Sequence, residues 1–164
     1  AEVDASPGGR AKLTRSKGLA LTTKRDEQFK PLYERHRQEL LTYKQELAAT
    51  LPKSGYASHK ALLAAGDGAI ELHNKLKRAA ILRVTSDWLE AKIRSTSVAI
   101  AKLDQQAWEL ERRAELNQVT SANEWKDIEK MIATAQAIIE EDTPVAEAQD
   151  YAAAEAELFA ELSK

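Results

Sequence analysis

With 164 residues, 43% hydrophobic content and a net charge of −2, the chain suits a domain that buries a core without disulfides or metal. It contains no cysteine, which excludes disulfides, thiolate nucleophiles, zinc–thiolate sites and iron–sulfur ligation. No apolar run approaches the roughly 20 residues that span a bilayer.

Aromatic residues make up only 5% of the chain and charged residues 30%. An aromatic-poor, Ala- and Leu-rich core with a charged exterior suits helices packed along their lengths. Between Gly68 and Pro144 lie 75 residues without glycine or proline. These are the residues that most strongly punctuate structure, so the gap predicts long helices joined by minimal turns. The fold class expected is all-α: an antiparallel four- or five-helix bundle with long coiled-coil-like helices and a mobile N-terminal arm. The net charge hides a gradient. Arg10 to Arg37 carry nine basic residues against three acidic ones, and Glu140 to Lys164 carry eight acids against one lysine. Such asymmetry bears on association and orientation more than on fold.

The chain begins at Ala1 and reads as a processed mature form (organelle, periplasm or secreted) or as an excised fragment. Residues 1–21 read as an extended basic arm, broken by Ser6-Pro7-Gly8-Gly9 and followed by Arg10, Lys12, Arg15 and Lys17 without a consistent apolar face. Residues 22–164 read as the helical bundle domain.

Thr23-x-x-Asp26 resembles a capping box and predicts a helix start near Thr23; Pro31 offers an alternative start at Lys30. Phe29, Tyr33, His36, Leu40, Tyr43 and Leu47 recur at gaps of four and three, a heptad seam that Leu51-Pro52-Lys53-Ser54-Gly55 ends. A second helical segment runs from about Ala57, weakened where Gly66 and Gly68 flank Asp67.

Leu72, Leu76 and Ala79 or Ala80 continue a stripe that loses phase near residue 85. It resumes as Leu89, Ile93, Thr96, Ile100, Leu103, Ala107, Leu110 and Ala114. Two readings follow: a continuous helix from 69 to 118, about 75 Å long, or a tight turn at Thr85-Ser86-Asp87 with matched helices on either side. The cap-like residues and the matched lengths favour the turn.

Ser121-x-x-Glu124 is a capping box, after which Trp125, Ile128, Ile132, Ala135 and Ile139 share one face. Glu140-Glu141-Asp142 place negative charge at that helix's C-terminus, where the macrodipole disfavours it. Thr143-Pro144 predicts the start of a last helix to about Leu162, with a thin seam of Val145, Ala148, Ala152, Leu158 and Leu162.

His36, His59 and His73 show no metal-ligand spacing and read as structural histidines. Acidic pairs fall at helix ends, where solvated carboxylates are ordinary, and Asp67 between two glycines is neither a P-loop nor a dinucleotide fingerprint. No nucleophile elbow occurs. The chain therefore reads as non-enzymatic, with no cofactor, metal or small-molecule substrate.

No aromatic residue interleaves with the basic residues from 10 to 25, as a nucleic-acid stacking surface requires, and the arm lacks the apolar face that lipid binding needs. Trp125 reads as core. Trp88 and Trp108 fall one residue off the seam and read as helix flanks, where tryptophan serves packing or partner binding. The expected partner-binding set is Arg10, Lys12, Arg15, Lys17, Trp88 and Trp108. The function expected is a helical interaction or scaffold protein, a peripheral subunit of a larger protein assembly, with peripheral association to a membrane complex allowed. The alternative is a receptor-binding or translocation domain of a secreted bacteriocin-like toxin. A small-molecule carrier would need a cavity that an Ala-rich core disfavours.

Overall fold

In the computed structural model, residues 7–141 and 148–164 are described, and every regular element among them is helical. The α-helices are α1 (Pro7–Gln28), α2 (Lys30–Thr50), α3 (His59–Ala64), α4 (Ile70–Glu115), α5 (Ala122–Glu140) and α6 (Ala148–Leu162), with short 3₁₀ turns at Leu51–Lys53 and Gly66–Ala69. The chain divides into two compact units. One comprises Ala1–Pro31 and Ala91–Asp142, the other Leu32–Glu90 and Thr143–Lys164.

The first unit contains α1, the C-terminal half of α4, and α5. Along α1, Arg15 pairs with Glu111 and Arg25 donates to the Ser97 hydroxyl at 2.7 Å, so α1 and α4 run antiparallel. Along α5, Arg113 pairs with Glu124 near one end and Lys92 with Glu141 at the other, so α4 and α5 are antiparallel too. Arg10 lies over Trp125 and Lys24 reaches Glu140, which sets α1 parallel to α5. Leu103, Ala107, Leu110, Ile128, Ala135 and Ile139 are buried, as are Ala11 and Leu21 from α1. Gly18 permits the close approach of α1: a Cβ there would stand 3.2 Å from an Asp104 carboxylate oxygen.

The second unit contains α2, α3, the N-terminal half of α4, and α6. Lys75–Glu46 and Arg78–Glu39 pairs set α2 antiparallel to α4. Glu155 lies near His73 and Glu157 near Arg83, so α6 runs parallel to α4. Leu47, Leu51, Leu62, Leu76, Ala79, Ala80, Leu158 and Phe159 form its buried cluster.

Several expectations change. The extended arm read over 1–21 is helical from Pro7 onward. Ala11, Thr14, Gly18 and Leu21 recur at gaps of three and four and are buried; this stripe is built from small and hydroxyl side chains, and the Thr14 hydroxyl bonds back to the Arg10 carbonyl at 2.8 Å. The helix start near Thr23 is therefore replaced by a start at Pro7. The chain breaks near Phe29, where Pro31 has no amide hydrogen to continue the ladder, and α2 begins at Lys30.

The turn expected at Thr85-Ser86-Asp87 is absent and α4 is unbroken. Leu82, Ser86 and Leu89 are all buried, so the stripe keeps phase through a serine, and the Thr85 hydroxyl donates to the Ile81 carbonyl at 2.8 Å instead of capping a new helix. On α6, Ala152 is exposed while Ala154, Glu155, Leu158 and Phe159 are buried, which shifts the expected seam. Thr143, Pro144 and Val145, expected to open that helix, lie outside the described residues.

Other features match. The capping box at Ser121 and Glu124 is formed in both directions. The Leu89-to-Ala114 seam is buried or half-buried throughout, and the double-glycine segment leaves the α-helix at Gly66, whose φ of +56° favours glycine. α4 ends in a Schellman motif: Asn117 takes φ +54°, its amide bonds Ala114, and the Gln118 amide bonds Arg113 at 2.8 Å.

Candidate interaction surface

The expected partner-binding residues separate into distinct sets. Arg10 is half-buried. Its guanidinium lies 4.9 Å from the centre of the Trp125 ring and donates to the Thr120 carbonyl. It is thus a packing residue that roofs Trp125, which is half-buried rather than core. Lys17 lies seven residues from Arg10 and from Lys24, on the flank whose neighbours meet α5. Trp88 is half-buried and belongs to the second unit.

Arg15 is linked through Glu111 to the turn of α4 that carries Trp108, and Lys12 lies one turn from Arg15 on α1. On α1, Lys12, Arg15 and Leu19 follow one another at gaps of three and four, so they form one ridge, and all three are exposed. Arg15 grips Glu111 of α4 with two nitrogens, one of them at 2.8 Å. That fork holds the Glu111 carboxyl below the usual carboxylate range and raises the Arg15 guanidinium further. Glu111 stands one turn from Trp108, which is 52% exposed and carries the Arg112 guanidinium over its ring at 5.1 Å. Leu19 is 69% exposed. The result is an outward patch of two apolar side chains framed by Lys12, Arg15 and Arg112. Leu19 and Arg112 were not singled out from the sequence. The i, i+4 spacing of Trp108 and Arg112, which sets a guanidinium one turn from the indole, was the signal available.

In the second unit a buried polar cluster also went unread. Glu155 on α6 is 6% exposed, and its carboxylate lies 3.1 Å from Nε2 of His59 on α3 and 3.5 Å from Nε2 of His73 on α4. The carboxylate is hydrogen-bonded to His59 and so joins α6 to α3, while the buried Nε2 of His73 on α4 lies close by without a hydrogen-bond partner. Among the described residues no group of three His, Asp or Glu side chains is placed to hold a metal ion. His36, on the α2 seam, is half-buried.

Among the described residues no helix is long and apolar enough to cross a membrane. The chain matches no protein-family model, no curated protein and no solved structure.

Proposed function

We propose that the chain is a non-enzymatic helical interaction module, a peripheral subunit of a larger protein assembly, that docks through the Trp108 patch. The observation that carries this reading is Trp108 itself. A tryptophan half open to water, with an arginine stacked on it and a second arginine paired to Glu111 one turn along α4, has the composition of a binding hot spot. The Arg15–Glu111 fork supports it further, because a side chain immobilised before binding loses little entropy on docking. With Arg15 already paired to Glu111, the remaining basic residues of the frame, Lys12 and Arg112, favour a partner surface that carries acidic groups around an apolar recess.

Size fractionation of native extract, with the chain detected immunologically, tests the proposal. Wild type is expected to elute well above its own 18.2 kDa, and the Trp108→Ala and Arg112→Glu variants as free chain. Elution of wild type at the mass of one chain overturns the reading.

A further inference from the structure

On the first unit, α4 and α5 leave a second, unrelated surface. α1 packs against the side of α4 that bears Ser97 and Glu111. On another side, between α4 and α5, runs a groove of about 280 Å3, floored by Val98, Ala99, Met131 and Ile138. Val98 is 52% exposed, and with the other apolar residues of the floor it forms one continuous lining. Lys102 from α4 and Lys130 from α5 flank this floor from opposite sides, both exposed, and neither meets a carboxylate among the described residues. Through Met131 the groove continues into a polar stretch bearing Glu109 and Asp127, where Leu110 and Ile128 are already buried.

We infer that this groove seats an amphipathic helix of a partner protein, with an apolar stripe on Val98, Met131 and Ile138 and acidic residues at its flanks facing Lys102 and Lys130. The occupant follows from charge and shape. Two lysines facing each other across an apolar trough attract carboxylates on both edges of an inserted helix, and helix-in-groove binding reads anchors at i, i+3 or i+4, and i+7. The stretch bearing Glu109 and Asp127 confines the partner's acids to one end of the groove. Lys102 and Glu109 stand two turns apart, about 10 Å along α4, so the partner's acids belong to one half of its helix only. A basic helix gains no equivalent seat, since the acidic half offers no exposed apolar floor. The inference goes beyond the Trp108 reading and stands or falls separately from it.

The test uses two synthetic, end-blocked helical peptides with identical leucine stripes, one with glutamates flanking the stripe in its first half and one with lysines there. Titration is followed by calorimetry against the whole chain. Wild type is expected to prefer the glutamate peptide by about tenfold or more. The Lys102→Glu/Lys130→Glu double variant, its helicity verified by circular dichroism, is expected to reverse that preference. Equal binding of both peptides, binding of neither, or an unreversed preference in the variant overturns the inference. None of these results alters the elution test of the Trp108 patch.

Discussion

At the scale of single residues, the ion pairs of the first unit make a pH prediction. Arg113, helped by the Ser121 amide, holds the Glu124 carboxyl below its usual range, and Arg15 does the same for Glu111. A carboxyl whose folded pKa is depressed contributes stability that is present above the unfolded value, about 4.3 for glutamate, and lost as pH falls through the folded value. The melting temperature should therefore hold from neutral pH to about 5 and decline below about 4. Glu124→Gln should flatten part of that decline, and the check is a pH series of thermal melts on both proteins. The second unit offers a sharper single-residue case. Glu155→Ala would leave the half-buried His59 ring without its carboxylate partner, and urea denaturation should report a loss of about 1–3 kcal/mol. A change below about 0.5 kcal/mol would mean the cluster is wetter than its 6% exposure implies.

At the scale of elements, α4 carries the most informative test. Ser86 is buried in an unbroken helix and its hydroxyl has no protein hydrogen-bond partner. Replacing it with alanine removes an unpaired hydroxyl and improves helix propensity, so Ser86→Ala should raise stability by about 0.5–1 kcal/mol. Were the chain to turn there, with Ser86 serving as a cap, the same change would lower stability instead, so denaturation curves separate the two cases. This position also shows why some of the fold was legible and some was not. The capping box at Ser121 and the seam from Leu89 to Ala114 are local patterns, the first legible from the spacing of its serine and glutamate and the second from apolar residues that announce the buried face. The α1 stripe of Ala11, Thr14 and Gly18, the serine in the α4 seam, and Glu155 on α6 bury small or polar groups instead. Hydrophobic periodicity is silent there. On the candidate surface, the offset of Trp108 from the seam was visible in the sequence, whereas the placement of Arg10 over Trp125 was not, because it depends on a helix far along the chain. The negative charge at the end of α5 looked unfavourable for the same reason: Lys92, buried and 49 residues earlier, donates to both the carbonyl and the carboxylate of Glu141.

At the scale of the molecule, neither compact unit is a continuous stretch of chain. The second is closed by α6, whose Leu158 and Phe159 complete the cluster around Leu47, Leu62 and Leu76. Deletion of residues 143–164 should therefore strip protection from amides of α2 and the first half of α4, while Ile100 to Leu110 and α5 keep theirs. Hydrogen exchange read by mass spectrometry distinguishes this from uniform loss along the chain, the result expected if the molecule folded as one cooperative block.

The discontinuity of the units also sets an order of assembly during synthesis. All segments of the first unit precede α6 in the chain, so that unit is complete in sequence before the second and can close first as the chain emerges. The second unit has all but one of its helices in hand by then and must wait for the last to emerge. Until it arrives, Leu76, Ala79 and their neighbours lack the cover that Leu158 and Phe159 later provide. A nascent chain paused in that interval is the form that chaperones would recognise and that proteases would cut.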